Sequence, residues 1–410
     1  MSHAHESTAT SLLHNRPFIR FWCARLLGVT ATQMLMVAIA WHMYDLTSSA
    51  WDLGLVGLFQ FVPALLFTLP AGHTADRYHR GRIFAACMLL QACVGLVLVL
   101  ATEQSFATRG LILVVSVMLG MARAFQMPAQ QALTPLLVPV AQLQTAVAWS
   151  SSGMQVAIIC GPALGGVLYI WGPSTVYATC AVLLVCAVGL ALSVRYPHRP
   201  VYLAATWSSV SAGFRFVWQH KVLLGATSLD LFAVLLGGAT ALLPIYCRDI
   251  LHVGPVGLGL LRGAPAVGAL VMSLALIRWP LRRRVGHKLL TAVGVFGLAT
   301  VVFGLSQSFA LSLLALVVTG AADSVSVVTR STLMQLETPD DMRGRVSAVN
   351  SIFIGASNQL GEFESGATAA LMGAVGSTVL GGVGTVLVAA SWVKLFPALA
   401  HRDTMEPSAR

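Results

Sequence analysis

Residues 82–101 read RIFAACMLLQACVGLVLVLA, with one charge at Arg82, one amide at Gln91 and otherwise apolar or small side chains. A helix of about 20 residues is about 30 Å long, which matches the hydrocarbon core of a bilayer. The run has no polar face to turn toward water, so it does not read as a surface helix of a soluble domain. Comparable runs lie on both sides of it. Working outward, spans fall near 18–44, 51–75, 82–101, 109–131, 142–170, 173–195, 222–248, 255–279, 285–307, 309–334, 343–373 and 376–397. Helices are required because each backbone polar group in lipid must be satisfied within the protein.

Composition agrees with this reading. Of 410 residues, 57% are hydrophobic and only 10% charged, whereas a soluble domain carries about 25% charged residues. The net charge of +10 would suggest nucleic acid in a soluble protein. Here most Lys and Arg fall in the tails and in alternate loops, which by the positive-inside rule puts both termini in the cytoplasm and leaves no role for nucleic acid. The seven cysteines sit in or beside apolar runs, contain no CxxC and read as small packing residues. Met1 to Arg16 is polar, so no cleavable signal peptide is expected. There is no Walker A loop, no HExxH and no clustered nucleophile and base. Neither an enzyme, a cofactor nor a metal site is expected.

The chain repeats itself. At a spacing of 200 positions Gly120 matches Gly320, Leu133 matches Leu333, Pro139 matches Pro339, Ser151 matches Ser351, Gly161 matches Gly361 and Gly166 matches Gly366. Each half holds six spans, so the second keeps the orientation of the first. The expected fold is an all-α membrane protein of twelve transmembrane helices in two six-helix bundles. The expected domains are 1–195, a cytoplasmic linker at 196–220, and 221–410. In the linker Trp207, Val210, Phe214 and Val217 share one helical face, which predicts a short helix along the cytoplasmic surface.

Several segments carry mechanism. After span two comes Gly72-His-Thr-Ala-Asp76-Arg77-Tyr-His-Arg80-Gly-Arg82. Glycine there permits close helix approach, and the arginines can pair with the aspartate. The second half's counterpart, Arg282-Arg-Arg-Val-Gly286-His, lacks the acid, so such a latch would be one-sided. Span five carries Gly161-Pro162-Ala-Leu-Gly165-Gly166, a kinked helix able to seal against a neighbour. Span four carries Arg123 about 14 residues from its outer end, hence about 21 Å deep. Buried charges in a membrane are costly and functional by default. In the repeat register Arg123 matches Asp323 of span ten, and Arg25 has a rough counterpart in Asp230. The first half thus reads as the source of buried cations and the second as the source of buried acids, with an Arg123–Asp323 interaction expected across a central cavity. Span eleven adds Asn358, Glu362 and Glu364. Two acids spaced by two point about 200° apart, so they face different surroundings. Buried carboxylates suit groups that take up and release a proton.

The loop Thr338-Pro-Asp-Asp-Met-Arg343-Gly-Arg345-Val and the run Ser357-Asn-Gln-Leu-Gly-Glu-Phe-Glu-Ser-Gly366 complete the set. Together with the loop after span two and the Gly161–Gly166 element, they resemble the major facilitator superfamily, in its drug–proton antiporter branch. The resemblance covers nearly the whole chain. It implies a secondary transporter of the bacterial plasma membrane that exports small amphiphilic molecules, drug-like or siderophore-like, by proton antiport with alternating access. It implies gating at Gly72, Asp76, Arg77, Arg80, Gly161, Pro162, Gly165, Gly166, Arg343 and Arg345. Proton coupling is expected among Asp323, Glu362, Glu364, Asp230 and Arg123, and substrate contacts at Arg25, Gln33, Asn358 and Arg262. The partners are then a small-molecule substrate, protons and the lipid bilayer, for a monomeric chain. A proton-coupled uptake symporter or a uniporter competes with this reading, and the Gly161–Gly166 element favours export. A membrane receptor without transport would need an extramembrane signalling domain, for which no stretch is long enough.

Overall fold

Apolar runs this long leave the chain no option but helices, and the computed structural model describes residues 12, 14–195, 207–281, 283–339 and 342–404, without the side chains of Leu69, Asp76 and residues 207–210. The Asp76 carboxylate, residues 196–206 of the linker, the side chains of Trp207 and Val210, Arg282 and the Asp340–Asp341 pair lie outside the described set. In chain order the main helices are α1 (Arg16–Thr47), α2 (Ala50–Leu66), α3 (Thr68–Arg77), α4 (Arg80–Glu103), α5 (Arg109–Leu137), α6 (Leu143–Leu168) and α7 (Pro173–Leu192). They are followed by α8 (Trp207–Gln219), α9 (Lys221–Leu236), α10 (Gly254–Arg278), α11 (Val285–Leu305), α12 (Phe309–Glu337), α13 (Arg343–Leu395) and α14 (Pro397–Ala400).

Ten helical stretches among the described residues are long and apolar enough to cross a membrane. The expected twelve are reached only by counting α2, which is 17 residues long, and by dividing α13. That division is physical: Gly373 sits at φ 81°, ψ 162° inside the 53-residue element, a conformation that only glycine adopts cheaply. The expected second span is interrupted at Phe67, between α2 and α3.

The expected span 222–248 is also broken. Gly237 and Gly238 end α9, since consecutive glycines are poor in a helix interior. The chain continues through a 3₁₀ turn (Ala239–Leu242), three helical residues (Leu243–Ile245) and a π turn (Tyr246–Ile250). The break frees carbonyls that lipid could not satisfy, and the surrounding protein covers them. The Ala233 carbonyl accepts from Gly237 N–H at 2.9 Å and from the Thr385 hydroxyl at 3.2 Å. The next carbonyls lie against glycines. A Cβ on Gly361 would stand 2.8 Å from the Val234 oxygen and 2.9 Å from the Leu235 oxygen, and one on Gly381 would collide with the Leu236 carbonyl. Glycine Cα–H groups thus approach where no side chain fits.

The chain divides into two compact units, Met1–Leu46 with Val62–Ala205, and Thr47–Phe61 with Thr206–Arg410. The start of α2 therefore belongs with the second unit. There Gly54 meets α13 so closely that a Cβ would stand 3.0 Å from the Phe363 carbonyl and 3.1 Å from Gly366 Cα. Helix α8, foreseen as a surface helix, docks on the start of α13: Val217 is buried with Leu223, Val346 and Val349. Phe214 stacks between Trp218 and Phe353.

Candidate functional site

In the first unit, the Gly161–Gly166 element packs α6 onto α1. A Cβ on Gly161 would stand 2.7 Å from Gln33 Cβ and 3.1 Å from the Thr30 carbonyl, and one on Gly165 would stand 3.0 Å from Met34 Cα. Pro162 and Gly166 are buried in the same helix. This close approach is what the residue pattern requires. Gly72 is different, because nothing lies within 4 Å of a Cβ placed there, so the expected close approach is absent at that glycine. Arg77 is exposed. Arg80 donates from Nε to the Ala75 carbonyl at 3.0 Å and from Nη1 to the Ala132 carbonyl at 3.4 Å. It thereby ties the end of α3 to the last turn of α5.

Polar side chains in this unit are joined in a short network. Thr32 lies 2.8 Å from Gln91 Oε1, and Gln91 Nε2 donates to Gln126 at 2.5 Å. With the Gln130 amide turned to accept, Arg25 Nε–H donates to it at 2.8 Å. His42 is buried against the Tyr177 hydroxyl at 3.0 Å. Arg123 is solvent-accessible, and so is Met127 one turn further along α5.

The second unit holds the densest arrangement of charge. Arg330 of α12 is 2% exposed and forms an ion pair with Asp230 of α9, 6% exposed, through Arg330 Nη1 and Asp230 Oδ2. Ser326, one turn before Arg330, also bonds to Asp230. The charges of both Asp230 and Arg330 act on Asp323, two turns before Arg330 on the same helix. A void of about 10 Å³ lies between, lined by Asp230, Asp323 and Ser326. That is about the space one water needs. Asp323 also lines a larger cavity of about 170 Å³, with Gly237, Gly238 and Thr240 of the α9 break, Phe296 of α11 and Asn358 of α13. Asp323 thus borders both the void beside the buried ion pair and the larger cavity.

The structure corrects the expectation of cations in one half and acids in the other. Arg330 gives the second unit its own buried cation. Its place was legible in the repeat: position 330 matches position 130, and Gln130 is the residue that meets Arg25. Both units join the first helix of the bundle to the fourth at this level, once through Arg25 and Gln130 and once through Asp230 and Arg330.

Glu362 and Glu364 face different surroundings, as their spacing requires. Glu362 packs under Gly57, where a Cβ would stand 3.0 Å from its Cβ and Oε2, and its charge acts on Arg262 of α10. Glu364 lies within hydrogen-bond reach of Ser365 and Thr368. Thr368 in turn bonds Ser377 at 2.7 Å across the Gly373 bend. Arg343 and Arg345 are exposed at the start of α13, and Arg345 Nη1 reaches Met342 Sδ at 3.4 Å. A cavity of about 330 Å³ beside Arg343 is lined by Gln335, Ser347 and Asn350.

Apolar helices of membrane-spanning length, a discontinuous helix at a polar cavity and charges buried inside the bundle mark a multi-pass membrane protein. The chain belongs to the transmembrane secretion effector family of the major facilitator superfamily, which it matches over residues 7–410. It is 27% identical over 269 residues to Macrolide efflux protein A of Streptococcus pyogenes, covering 63% of this chain and 65% of that protein. It therefore spans less than two thirds of that relative's length. It is 28% identical to the multidrug efflux pump Tap of Mycobacterium tuberculosis, covering 82% of this chain and 83% of Tap. It is 27% identical to the enterobactin exporter EntS of Citrobacter koseri, covering 92% of this chain and 91% of EntS. The fold matches a crystal structure of a bacterial homologue of the human lysosomal transporter Spinster, with a TM-score of 0.73, 15% identity, and 92% and 95% of the two chains covered.

Proposed function

We propose that this protein exports small amphiphilic molecules from a bacterial cell by exchanging them for protons. Asp323 carries the reading. It is an acid inside an apolar bundle that borders both a cavity and the void beside a buried ion pair. A carboxylate so placed can bind a proton when the cavity is open to one side of the membrane and release it when the cavity opens to the other. The Asp230–Arg330 pair fixes the charge behind it. Loss of the Asp323 charge on protonation changes the field at that pair, which couples the proton to helix packing in α9 and α12.

The relatives supply the direction, since their names are those of efflux proteins for macrolides, for multiple drugs and for enterobactin. The tight α1–α6 contact at Gly161 and Gly165 serves as a seal during alternating access, and Arg77, Arg80, Arg343 and Arg345 act at the cytoplasmic ends of the helices. Both termini lie in the cytoplasm, and the working unit is the monomer. Asp323 stands first among the coupling acids, ahead of Glu362, whose charge is already engaged with Arg262.

The test is transport in proteoliposomes with an imposed pH gradient. The expected result is substrate movement driven by the gradient and abolished by Asp323→Asn. Substrate movement indifferent to the gradient overturns proton antiport. Gradient-driven movement in the same direction as the protons replaces it with uptake symport.

A further inference from the structure

We propose that the cavity at the corner where α12 gives way to α13 binds a neutral polyhydroxylated ligand, a sugar or polyol unit. It shares no lining residue with the cavity beside Asp323, and the proposal stands apart from the exporter reading. Its volume is about 330 Å³. Its described lining carries hydroxyls at Ser331, Thr338 and Ser347, amides at Gln335 and Asn350, and one charge, at Arg343. Two of these groups are buried without a hydrogen-bond partner, the Thr338 hydroxyl and the Asn350 amide oxygen. Thr338 is only 4% exposed. A buried polar group left unpaired is costly and rare, so two of them at one cavity point to a ligand that satisfies both.

The repeat shows that the corner closes without these groups. Helix α5 ends at Leu137 and α6 begins at Leu143, each 200 positions before its counterpart, the end of α12 at Glu337 and the start of α13 at Arg343. The residue after the helix is extended in both units, Val138 at φ −131°, ψ 148° and Thr338 at φ −105°, ψ 123°. Where the second unit has Thr338, Arg343 and Ser347, the first has Val138, Leu143 and Val147. Valine and threonine differ by a methyl exchanged for a hydroxyl, and the turn forms with either. Burying the hydroxyl instead of the methyl carries a desolvation cost. The polar set therefore belongs to the cavity and not to the turn.

The lining names the ligand class. Hydroxyls and amides both donate and accept, and so does the hydroxyl of a sugar. It satisfies Thr338 and Asn350 together, whichever way the Asn350 amide is turned. The Arg343 guanidinium adds donors for the ligand's oxygens. Ions match the set less well. Sulfate would suit Arg343 but bring only acceptors to the Asn350 oxygen, and a quaternary ammonium would meet the guanidinium and donate nothing. The C-terminal end of α12 and the N-terminal end of α13 meet here, so their partial charges offset each other. A cavity of roughly 150 Å³ holds one benzene ring, so about 330 Å³ takes one or two six-membered rings.

The experiment is calorimetry on the full-length protein in phosphatidylcholine nanodiscs, prepared without glycoside detergents, with maltose as the probe. Sulfate and triethylene glycol dimethyl ether, which only accept hydrogen bonds, are the comparisons. Maltose is expected to bind at least about tenfold more tightly than either. The double variant Thr338→Val/Ser347→Val copies the first unit, so it is expected to fold, and its melting temperature without sugar checks this. It should weaken maltose binding about tenfold or more. A second titration, in nanodiscs that include a glucosyl diacylglycerol, separates the sources. Maltose affinity that falls there assigns the site to a glycolipid head, and affinity that holds assigns it to a free sugar; either result upholds the site. No maltose binding at millimolar concentration, equal binding of a comparison compound, or full affinity in the double variant overturns the proposal and leaves the cavity to water. Should the double variant unfold, the ranking of the three probes on the unaltered protein still decides.

Discussion

Asp230 and Arg330 show how much a single buried pair can decide. Each is nearly inaccessible, and each makes the other tolerable. Removing one partner of a buried ion pair leaves an uncompensated charge, at a cost of about 3–5 kcal/mol. Asp230→Asn is therefore expected to lower the thermal stability of the detergent-solubilised protein markedly, read by fluorescence-detected size exclusion after heating. The double variant Asp230→Asn/Arg330→Gln should recover most of the loss, because a neutral amide pair can still hydrogen-bond. Losses in the double variant as large as the sum of the singles would show that the two act independently. The acids themselves were legible in the sequence, since a charge inside an apolar run stands out. Their partners were not. Spacing along one helix says nothing about which residue of another helix lies opposite, so nothing in the sequence singles out Arg330 as the partner of Asp230.

Helix contacts in this chain are set by glycine. On α12 a Cβ at Gly320 would collide with the Pro265 carbonyl of α10, and on α10 a Cβ at Gly268 would collide with the Val317 carbonyl of α12. The obstacle is backbone in both directions, so neither side can yield by a change of rotamer. Gly320→Ala should destabilise the protein by about 1–3 kcal/mol through overpacking. It should also impair transport, because the same helix carries Asp323. Gly344→Ala, with open space around it, is the control and should leave the melting temperature within about 1 °C. The sequence signalled the crowding as a high glycine count, 37 in 410 residues, but gave no way to tell Gly320 from Gly72. A Cβ on the first would strike a neighbour's backbone and one on the second would meet open space, and only the course of the neighbouring helix separates them. The break of α9 at Gly237–Gly238 was missed for a related reason. Hydropathy runs smoothly through it, and two glycines in an apolar stretch are also compatible with a continuous helix.

On the scale of the whole chain, the repeat is a physical device used twice. Gly161 seats α6 on α1 through Thr30 and Gln33, and Gly361 seats α13 on α9 through Val234 and Leu235. Each unit thereby brings corresponding helices into contact at matching positions. The units differ at the corresponding loops that precede α4 and α11. Arg80 secures the first unit, while in the second the end of the chain does comparable work. Val285 and Gly286 N–H groups, at the open start of α11, donate to the carbonyls of Asp403 and Arg402 at 3.4 Å and 2.9 Å. Arg402 Nη2 pairs with Glu337 at 2.7 Å. Gly286 has no room for a Cβ because the Leu399 carbonyl lies against it. Truncation after Phe396 should therefore destabilise the protein by about 1–3 kcal/mol, the usual cost of orphaning charged hydrogen-bond partners. Glu337→Gln should reproduce part of the loss, and an unchanged melting temperature in both would show the tail to be dispensable.

The sequence by itself determined the solvent, the repeat and the presence of costly charges in lipid. These follow from local composition, because every long apolar run meets the same bilayer and every buried charge departs from it visibly. Tertiary structure alone decided which charges meet, where a helix breaks to line a cavity, and that Asp323 borders both that cavity and the void beside an ion pair. Those outcomes depend on distances between helices far apart in the chain, and a one-dimensional pattern fixes the faces of a helix without fixing what lies across from them.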